Sequence, residues 1–414
     1  MSSDLQYTAE AQPNAPAGST VIDYVDSADN NRRKAIHANG TVDILSETNR
    51  YNYLVSGGFD FIQRWPTALT TNTQTTQGTR YLMHDQWSLV SQTASCQVAR
   101  IDTIAAPETG ITARYYGELK QITGAGKVMY VNILEAKDTA PLRGKTVRFQ
   151  IKYKTGVWGS GSALRMGVFQ NNSSATADTV VSTTFVSAFG ANSTDPTLGT
   201  NVAYISPLTT GLDGVTTNGA GGTTAGQIAN PGASSAWTRA SALFTIPTNC
   251  VNIMVAFWTD SQMSVNDIFY LTEAGLYLGQ EINDWNPLSF SEEKLRVQRF
   301  YESSFPPDTA PVQNNGVNTG EMKWTAGIIG TGAEKSPAIQ LAVPKRITIT
   351  TGQTVIYNPA AANAQVRDET AGGDCSATAF VAGSERNFAL TCTGNAGTIV
   401  GGLLGAHWSV DQAI

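Results

Sequence analysis

Lys145-Thr-Val-Arg-Phe-Gln-Ile-Lys-Tyr-Lys154 is the stretch of sequence that decides the fold, because apolar and polar residues alternate strictly along it. Successive side chains of a β-strand point to opposite faces, so one set is expected to face a core and the other to face away from it. The apolar set is Val147, Phe149, Ile151 and Tyr153, and the polar set is Thr146, Arg148, Gln150, Lys152 and Lys154. The stretch therefore predicts a strand with one buried face.

Six further segments show the same kind of strand pattern on both sides of this one. They are Ile111–Tyr116, Val128–Ile133, Leu164–Phe169, Ala242–Ile246, Val251–Trp258 and Ile268–Leu271. Gly, Asn and Pro turns separate them, which is typical of a two-sheet sandwich. We therefore predict an all-β protein whose body is a jelly-roll-like β-sandwich.

The pattern divides the chain into five predicted parts. Residues 1–19 are rich in Pro, Ala, Ser and Gly and read as a flexible or threaded arm. Residues 20–48 form a β-hairpin module, and residues 49–284 form the sandwich. A connector helix follows at 285–304, and a β-rich tip domain occupies 305–414.

The hairpin module has too few residues to fold alone. Tyr24 and Ile36 lie in its first two apolar runs, and Asn39-Gly40 is a strong hairpin signal before the alternating Val42 and Ile44. Two hairpins of roughly 25 residues cannot bury enough surface for independent stability. We therefore expect sister copies or a partner to stabilise this module.

The connector helix begins at a clear signal. Ser289-Phe-Ser-Glu292 is a capping box, and the charged and apolar residues up to about Ser303 fit a half-exposed helix. Packing between two β domains explains this segment better than a free amphipathic surface does.

The segment from Asn171 to Ala236 is unusually neutral, with three acids and neither Lys nor Arg. Ser, Thr, Asn, Gly and Ala fill it instead, and such surfaces are common on proteins assembled into particles outside a cell. A structureless loop of this length is improbable inside a compact domain, so the insertion should carry short strands or serve a function.

Composition excludes several classes of protein. The net charge is −6, which gives no electrostatic reason to expect nucleic-acid binding. No apolar stretch is long enough to cross a bilayer, and the N-terminus lacks the pattern of a secretory signal, so we expect no membrane insertion. The scattered histidines and cysteines predict no metal site and no cofactor.

The four cysteines leave one question open. Cys375 and Cys392 lie in the same β-rich region, so a disulfide between them is possible. The alternative, which we favour, is that Cys96, Cys250, Cys375 and Cys392 are small buried thiols of a chain folded in a reducing cytoplasm.

Several segments in the first half of the chain resemble tailed-phage fibre and receptor-binding proteins. Those like the N-terminal module of many fibres and head spikes are Ala15-Pro-Ala-Gly18, Tyr24-Val25-Asp26, Lys34-Ala35-Ile36 and Asn39-Gly40-Thr41-Val42. Those like the phage sandwich similar to carbohydrate-binding modules are Ser56-Gly57-Gly58-Phe59, Gln63-Arg64, Tyr81-Leu82, Asp85-Gln86-Trp87, Trp237-Thr-Arg239 and Ala274-Gly-Leu-Tyr-Leu278.

The second half continues the resemblance in the same order. Gln298-Arg299-Phe300-Tyr301 looks like the connector of these proteins, and Tyr357-Asn-Pro359 and Ser384-Glu-Arg-Asn-Phe388 look like their β-rich tip. The family pattern has no equivalent of the insertion at 171–236. The resemblance implies a homotrimer on the virion surface, attached to other virion proteins through residues 1–48.

Glycan binding is the favoured task, with host surface polysaccharide as the expected ligand. Uncharged glycans are held by aromatic faces with polar groups nearby. Trp158 and Trp237 lie at loop-to-strand junctions flanking the neutral insertion, and Tyr204 lies inside it, so these three are the predicted carbohydrate-binding residues. A core or trimer-contact role is the alternative for each of them.

Catalysis has less support, so we predict a protein without enzymatic activity. Glycan-cleaving spikes use paired carboxylates at a set separation, and no such constellation is recognisable here. Two other functions stay open: a head fibre or capsid and collar decoration protein without an essential receptor, and a tail-associated glycan hydrolase.

Overall fold

The protein is described from a computed structural model. The residues it describes are 9–16, 21–26, 32–39, 42–44, 51–64, 70–73, 80–92, 95–104, 106–159, 163–179, 185–215, 226–228, 232–279, 285, 287–306, 309–316, 319–381 and 383–412. Strands dominate these residues, which confirms the predicted all-β class. None of the helices within the described ranges is long and apolar enough to cross a membrane.

A small sheet of four strands stands at the N-terminus, in the order β1-β2-β3-β4. Its strands are β1 (Ala9–Glu10), β2 (Val21–Asp26), β3 (Arg32–His37) and β4 (Val42–Ile44). β3 pairs antiparallel with both β2 and β4, as the two predicted hairpins require. β1 pairs parallel with β2, so part of the predicted arm is a strand. Residues 1–8 and 17–19 of that arm lie outside the described residues.

Fifteen strands follow in the body and its insertion. They are β5 (Thr70–Thr73), β6 (Arg80–His84), β7 (Trp87–Ser91), β8 (Ser95–Asp102), β9 (Tyr115–Thr123), β10 (Val128–Ile133), β11 (Thr146–Thr155), β12 (Leu164–Asn171), β13 (Val186–Ala188), β14 (Thr197–Leu198), β15 (Val202–Ile205), β16 (Gly226–Ile228), β17 (Ser234–Thr245), β18 (Asn252–Thr259) and β19 (Ile268–Leu278). Helix α1 (Ala136–Thr139) and a 3₁₀ turn (Ala140–Leu142) join β10 to β11, and a second 3₁₀ turn (Ser174–Thr176) follows β12.

Two antiparallel sheets build the sandwich. The first sheet has the order β15-β12-β18-β10-β7-β6, with β16 also paired to β12. The second sheet has the order β17-β11-β19-β9-β8-β5. β13 and β14 form a separate pair within the insertion.

The core lies between the two sheets. Val147, Phe149 and Ile151 on β11 are fully buried there, and Tyr153 is 5% exposed, as the alternation predicted. Burying a side chain of this size contributes roughly 1.5–3 kcal/mol, so this face alone accounts for much of the stability of β11.

The insertion first covers the outer face of the first sheet. β15 and β16 both pair with β12 and extend that sheet at its edge. Phe185, Val186 and Phe189 pack on the outer face, where they join Phe169 and Trp258 in a second buried cluster. The described part of the insertion therefore carries short strands, which confirms one of the two predicted alternatives.

The insertion then crosses to the outer face of the second sheet. Leu208 donates its backbone N–H to Leu243 on β17 at 2.8 Å, and Asp213 exchanges two backbone hydrogen bonds with Ser241. The Arg148 guanidinium donates to the Gly211 carbonyl at 2.8 Å beneath this crossing. Arg148 is therefore buried, although it belongs to the polar set of β11.

Helix α2 (Phe290–Gln298) begins at the predicted capping box, with both reciprocal hydrogen bonds present. It ends five residues before the predicted Ser303. Tyr301–Ser303 forms strand β20 instead, because β20 pairs with the last long strand of the chain.

The C-terminal domain is built around two long strands. Its strands after β20 are β21 (Met322–Thr325), β22 (Ala333–Lys335), β23 (Ile339–Gln340), β24 (Thr354–Tyr357), β25 (Arg367–Asp368), β26 (Gly373–Asp374), β27 (Ser376–Val381), β28 (Asn387–Thr393) and β29 (Leu403–Asp411), with a 3₁₀ turn at Thr351–Gln353. β29 pairs with β20, β21, β24 and β25, and β28 pairs with β22, β23 and β27. Trp324, Phe388 and Trp408 lie in the shared core.

One apolar segment of the C-terminal domain forms no strand. Ile347–Thr350 is irregular, because the side-chain amide of Gln412 takes the place of a partner strand. It accepts a hydrogen bond from the Ile347 N–H at 2.9 Å and donates one to the Ile347 carbonyl at 2.8 Å.

Candidate functional site

The three predicted carbohydrate-binding residues lie in three different environments. Trp158 follows β11 and is only 7% exposed. It packs edge to face against Phe269 in the sandwich core, with the ring centroids 6.3 Å apart. A sugar cannot stack on a ring enclosed in this way, so the surface site does not include Trp158.

Tyr204 lies on β15, on the outer side of the first sheet. Its ring centroid is 4.8 Å from that of Phe169, and its hydroxyl donates to the Pro196 carbonyl at 2.6 Å. Burial raises the pKa of the Tyr204 phenol, and Asp195 adds to the shift. These contacts hold the Tyr204 ring against the first sheet, beside the residues of the insertion that cover its outer face.

Trp237 lies on β17 and projects from the outer face of the second sheet, where it is partly exposed. Tyr116 on β9 meets it edge to face, with the ring centroids 5.4 Å apart. Tyr270 on β19 meets Tyr116 in the same way at 5.5 Å. The three rings thus come from three strands of one sheet, β17, β19 and β9.

Lys154 places its ammonium group among these rings. Its Nζ lies 5.1 Å from the Tyr116 centroid, 5.0 Å from that of Trp237 and 4.9 Å from that of Tyr270. Lys154 belongs to the polar set of β11 and stands directly opposite Tyr270 on β19. Attraction between a cation and an aromatic face contributes about 0.5–2 kcal/mol for each pair.

Glu108 neutralises this ammonium from the adjoining loop. Both of its oxygens accept hydrogen bonds from Lys154 at 2.7 Å, and one accepts a further bond from the Trp237 indole N–H at 3.1 Å. Burial alone would raise the pKa of Glu108, but the hydrogen bonds from Lys154 and Trp237 lower it below the ordinary value. The carboxylate is therefore ionised near neutral pH.

The loop that carries Glu108 is fixed to the sheet. Glu273 accepts hydrogen bonds from the Thr112 hydroxyl and the Ala113 N–H, each at 3.0 Å. Gly110 has φ +98°, a backbone conformation that favours glycine. It lies against Trp237, so that a Cβ atom added to Gly110 would be 3.4 Å from the Cβ atom of Trp237. Lys152 donates to the Gly110 carbonyl at 2.8 Å. The loop is thereby held in place over the indole.

We call Glu108, Tyr116, Lys154, Trp237 and Tyr270 the Trp237 cluster. Trp237 and Tyr270 offer partly exposed aromatic surface, and Lys154 and Glu108 offer a fixed donor and a fixed acceptor beside it. Apolar C–H faces of sugars pack on such rings, and their hydroxyl groups need hydrogen-bonding partners of both kinds. The cluster has the chemistry of a recognition surface.

Sequence reasoning found Trp237 but missed the other four residues of the cluster. The signal for Lys154 was present in the alternation of β11, which assigned it to the outward face. Tyr116 and Tyr270 each fall in a predicted strand. Only the pairing of the strands, which the sequence pattern does not state, brings them together with Trp237.

The described residues contain no group of three or more His, Cys, Asp or Glu side chains that could hold a metal ion.

Comparison with known proteins gives distant structural likenesses. No family model and no curated protein sequence matches the chain. A tailspike domain of bacteriophage CBA120, described as enzymatically active, shows 9% identity and a TM-score of 0.29 over 55% of this chain. A xylan-binding domain of Paenibacillus barcinonensis Xyn10C shows 10% identity and a TM-score of 0.27 over 57% of this chain and 100% of its own.

A two-module xylanase 10B chain of Clostridium thermocellum shows 12% identity and a TM-score of 0.26 over 51% of this chain. This chain spans 21% of the tailspike chain and 28% of the xylanase chain. TM-scores of this size establish neither a common ancestor nor a shared binding site.

Proposed function

We propose that this protein is a non-enzymatic structural component of a tailed-phage virion, a trimeric fibre or spike that binds host surface glycan through the Trp237 cluster. The observation that carries the glycan-binding proposal is the partly exposed aromatic face of Trp237 beside the Lys154–Glu108 pair. The resemblance of ordered segments along the chain to phage fibres supports the virion assignment.

The geometry of the cluster favours a weak and specific contact with a sugar. The indole offers a flat apolar surface, while Glu108 already fixes the position of the ring edge. A single exposed stacking contact contributes little affinity. Three copies on one fibre, and several fibres on one particle, would raise the overall avidity by orders of magnitude through high effective concentration.

Attachment to the particle is assigned to residues 1–48. Their described strands form a sheet that involves only short pairings, which fits a module completed by sister copies or by another virion protein. The same kind of module would also serve a head fibre or decoration protein, which is the second candidate function.

The test compares phage particles carrying the unaltered chain with particles carrying Trp237→Ala. The proposal expects assembled particles of both kinds, with adsorption to host cells reduced about tenfold or more in the variant. Tyr51→Ala removes another exposed aromatic ring and should adsorb normally.

Normal adsorption of the Trp237→Ala particles would contradict receptor binding through this cluster and favour the decoration role. Release of reducing sugar from host polysaccharide by the purified chain would contradict the non-enzymatic assignment and favour the hydrolase.

A further inference from the structure

A second concave surface lies away from the Trp237 cluster, between the sandwich, helix α2 and the start of the C-terminal domain. It is open to solvent and has a cavity volume of about 100 Å³. Residues from all three parts line it, among them Phe61, Arg100, Phe290, Lys294, Gln298 and Phe305. We call this surface the helix cleft.

The charged residues that line the helix cleft are both basic, and Asp60 and Asp102 act on Arg100 from outside the lining. Arg100 and Lys294 line it, and none of its lining residues is acidic. This is unexpected in a chain whose net charge is −6. Among the described residues Lys294 has no ion-pair partner. Asp85, which holds the Gln63 side chain at 2.9 Å, is itself paired with Arg64 at 2.6 Å.

The guanidinium of Arg100 is held in position at the wall of the cleft. One of its Nη atoms donates to the Asp60 carbonyl at 2.7 Å, and its Cζ lies 4.5 Å from the Tyr115 ring centroid. A guanidinium ordered by a carbonyl and an aromatic ring loses little freedom when it binds a carboxylate. The cleft therefore offers one positioned guanidinium and one ammonium group.

Aromatic rings form the apolar part of the cleft. Phe61 and Phe290 lie with ring centroids 4.9 Å apart, and Phe290 is 57% exposed, which is unusual for a phenylalanine. Phe305 is stacked on His407, with ring centroids 4.1 Å apart, and lines the same space. These rings suit the C–H face of a sugar or another flat apolar group.

Uncharged polar groups complete the lining. The side-chain amide of Gln298 is partly buried and has no hydrogen-bond partner among the described residues. Ser303 and Thr309 add hydroxyl groups. Such groups pair with the hydroxyl groups of a saccharide and have little to offer a simple hydrocarbon.

We propose that the helix cleft is a second saccharide site, specific for a sugar residue that bears a carboxylate. Arg100 and Lys294 bind the carboxylate, the phenylalanine rings receive the apolar face of the sugar, and Gln298 pairs with its hydroxyl groups. The site is independent of the Trp237 cluster, so the neutral glycan proposed there and the acidic sugar proposed here are separate ligands.

The experiment uses the purified full-length chain on an array of oligosaccharides ending in glucuronate, galacturonate or sialate, each beside its carboxyl-reduced neutral counterpart. Lys294→Glu reverses the charge of the cleft, and Phe290→Ala removes its exposed ring. Lys335→Glu makes the same charge change at an exposed position on β22 and serves as the control.

We expect at least one acidic oligosaccharide to bind ten times more tightly than its neutral counterpart. Lys294→Glu and Phe290→Ala should each weaken that binding about tenfold, while Lys335→Glu and Trp237→Ala leave it unchanged. Equal binding of acidic and neutral partners, or loss of acidic binding in Trp237→Ala, would overturn the proposal. Competition by sodium acetate as strong as that by sodium glucuronate would show an anion site without sugar recognition and would also overturn it.

Discussion

Arg64 and Asp411, 347 residues apart in the chain, form a doubly hydrogen-bonded ion pair. Nε and Nη2 of Arg64 donate to the two carboxylate oxygens, each at 2.8 Å. The remaining Nη1 donates to Asp85 at 2.6 Å, and the guanidinium lies 4.1 Å from the Tyr301 ring centroid. One side chain of the sandwich thus binds the last strand of the C-terminal domain.

Arg64→Ala should destabilise the protein by about 3 kcal/mol, because it leaves the buried carboxylate of Asp85 without its cation. The free energy of unfolding from urea titration measures this. Arg114→Ala breaks an exposed pair with Asp102 and should cost less than about 1 kcal/mol. Equal losses in the two variants would show that Arg64 does not join the domains.

The buried side chain of His84 should lower the free energy of unfolding in acid. It is 1% exposed, and burial lowers its pKa to about 3, with nearby Arg100 acting in the same direction. Between about pH 6.5 and pH 3 the unfolded chain binds a proton that the folded chain does not. This group therefore lowers the free energy of unfolding by about 1.4 kcal/mol for each pH unit of acidification in that window.

His84→Gln removes this dependence. Its destabilisation relative to the unaltered protein should be largest at pH 7 and should shrink as the pH falls from 6 to 4, as urea titrations at each pH would show. A destabilisation that stays constant over this range would mean that His84 does not titrate as a buried neutral ring.

The carboxyl group of Glu321 should have the opposite effect, lowering the free energy of unfolding as the pH rises. Burial raises the pKa of its carboxyl group to about 7, Glu369 adds to the shift, and Lys323 opposes it. The folded chain holds a proton that the unfolded chain releases above its ordinary pKa, so the contribution of this group to stability is lost as the pH rises through 7.

Glu321→Gln cannot ionise and should therefore gain thermal stability relative to the unaltered protein on going from pH 5 to pH 8. Melting temperatures at the two pH values test this. Glu385→Gln changes an exposed carboxylate and should show no such gain. A melting temperature for Glu321→Gln that tracks the unaltered protein at both pH values would exclude a buried, protonated Glu321.

The four buried cysteines should be unreactive toward a thiol reagent in the folded protein. Cys96, Cys250, Cys375 and Cys392 are free and at most 3% exposed. Burial raises the pKa of Cys96 and of Cys250 to about 12, which further suppresses their reactivity. No thiol should react in the native protein, and four should react after denaturation without reductant.

Two reactive thiols after denaturation, instead of four, would show a disulfide. Cys375 and Cys392 would be its members, because their side chains are in hydrogen-bond contact. The number of thiols that react after denaturation thus decides whether Cys375 and Cys392 form a disulfide, which the sequence left open.

The fold was largely predictable because its signals are local. The alternation along β11 identified its buried face, and Ser289 with Glu292 identified the start of α2. Burial of Arg148 was not predictable, because the cover comes from Gly211, far along the chain. The irregular backbone at Ile347 was not predictable for a similar reason, since its hydrogen-bond partner is the side chain of Gln412.

The candidate site was predictable only in part. A loop-to-strand position suggested exposure for both Trp158 and Trp237, but strand direction turned one ring into the core and the other to the surface. Lys154 was assigned to the outward face, yet its three aromatic neighbours depend on strand order. Pairing between distant strands is a tertiary property that no local pattern contains.

The central claim is that the Trp237 cluster binds host surface glycan, and isothermal titration of the purified full-length chain with polysaccharide isolated from the host tests it most directly. We predict saturable binding by the unaltered chain, and binding at least ten times weaker by Trp237→Ala at an unchanged melting temperature. Absence of binding by the unaltered chain, or equal affinity in the folded Trp237→Ala variant, would contradict the claim.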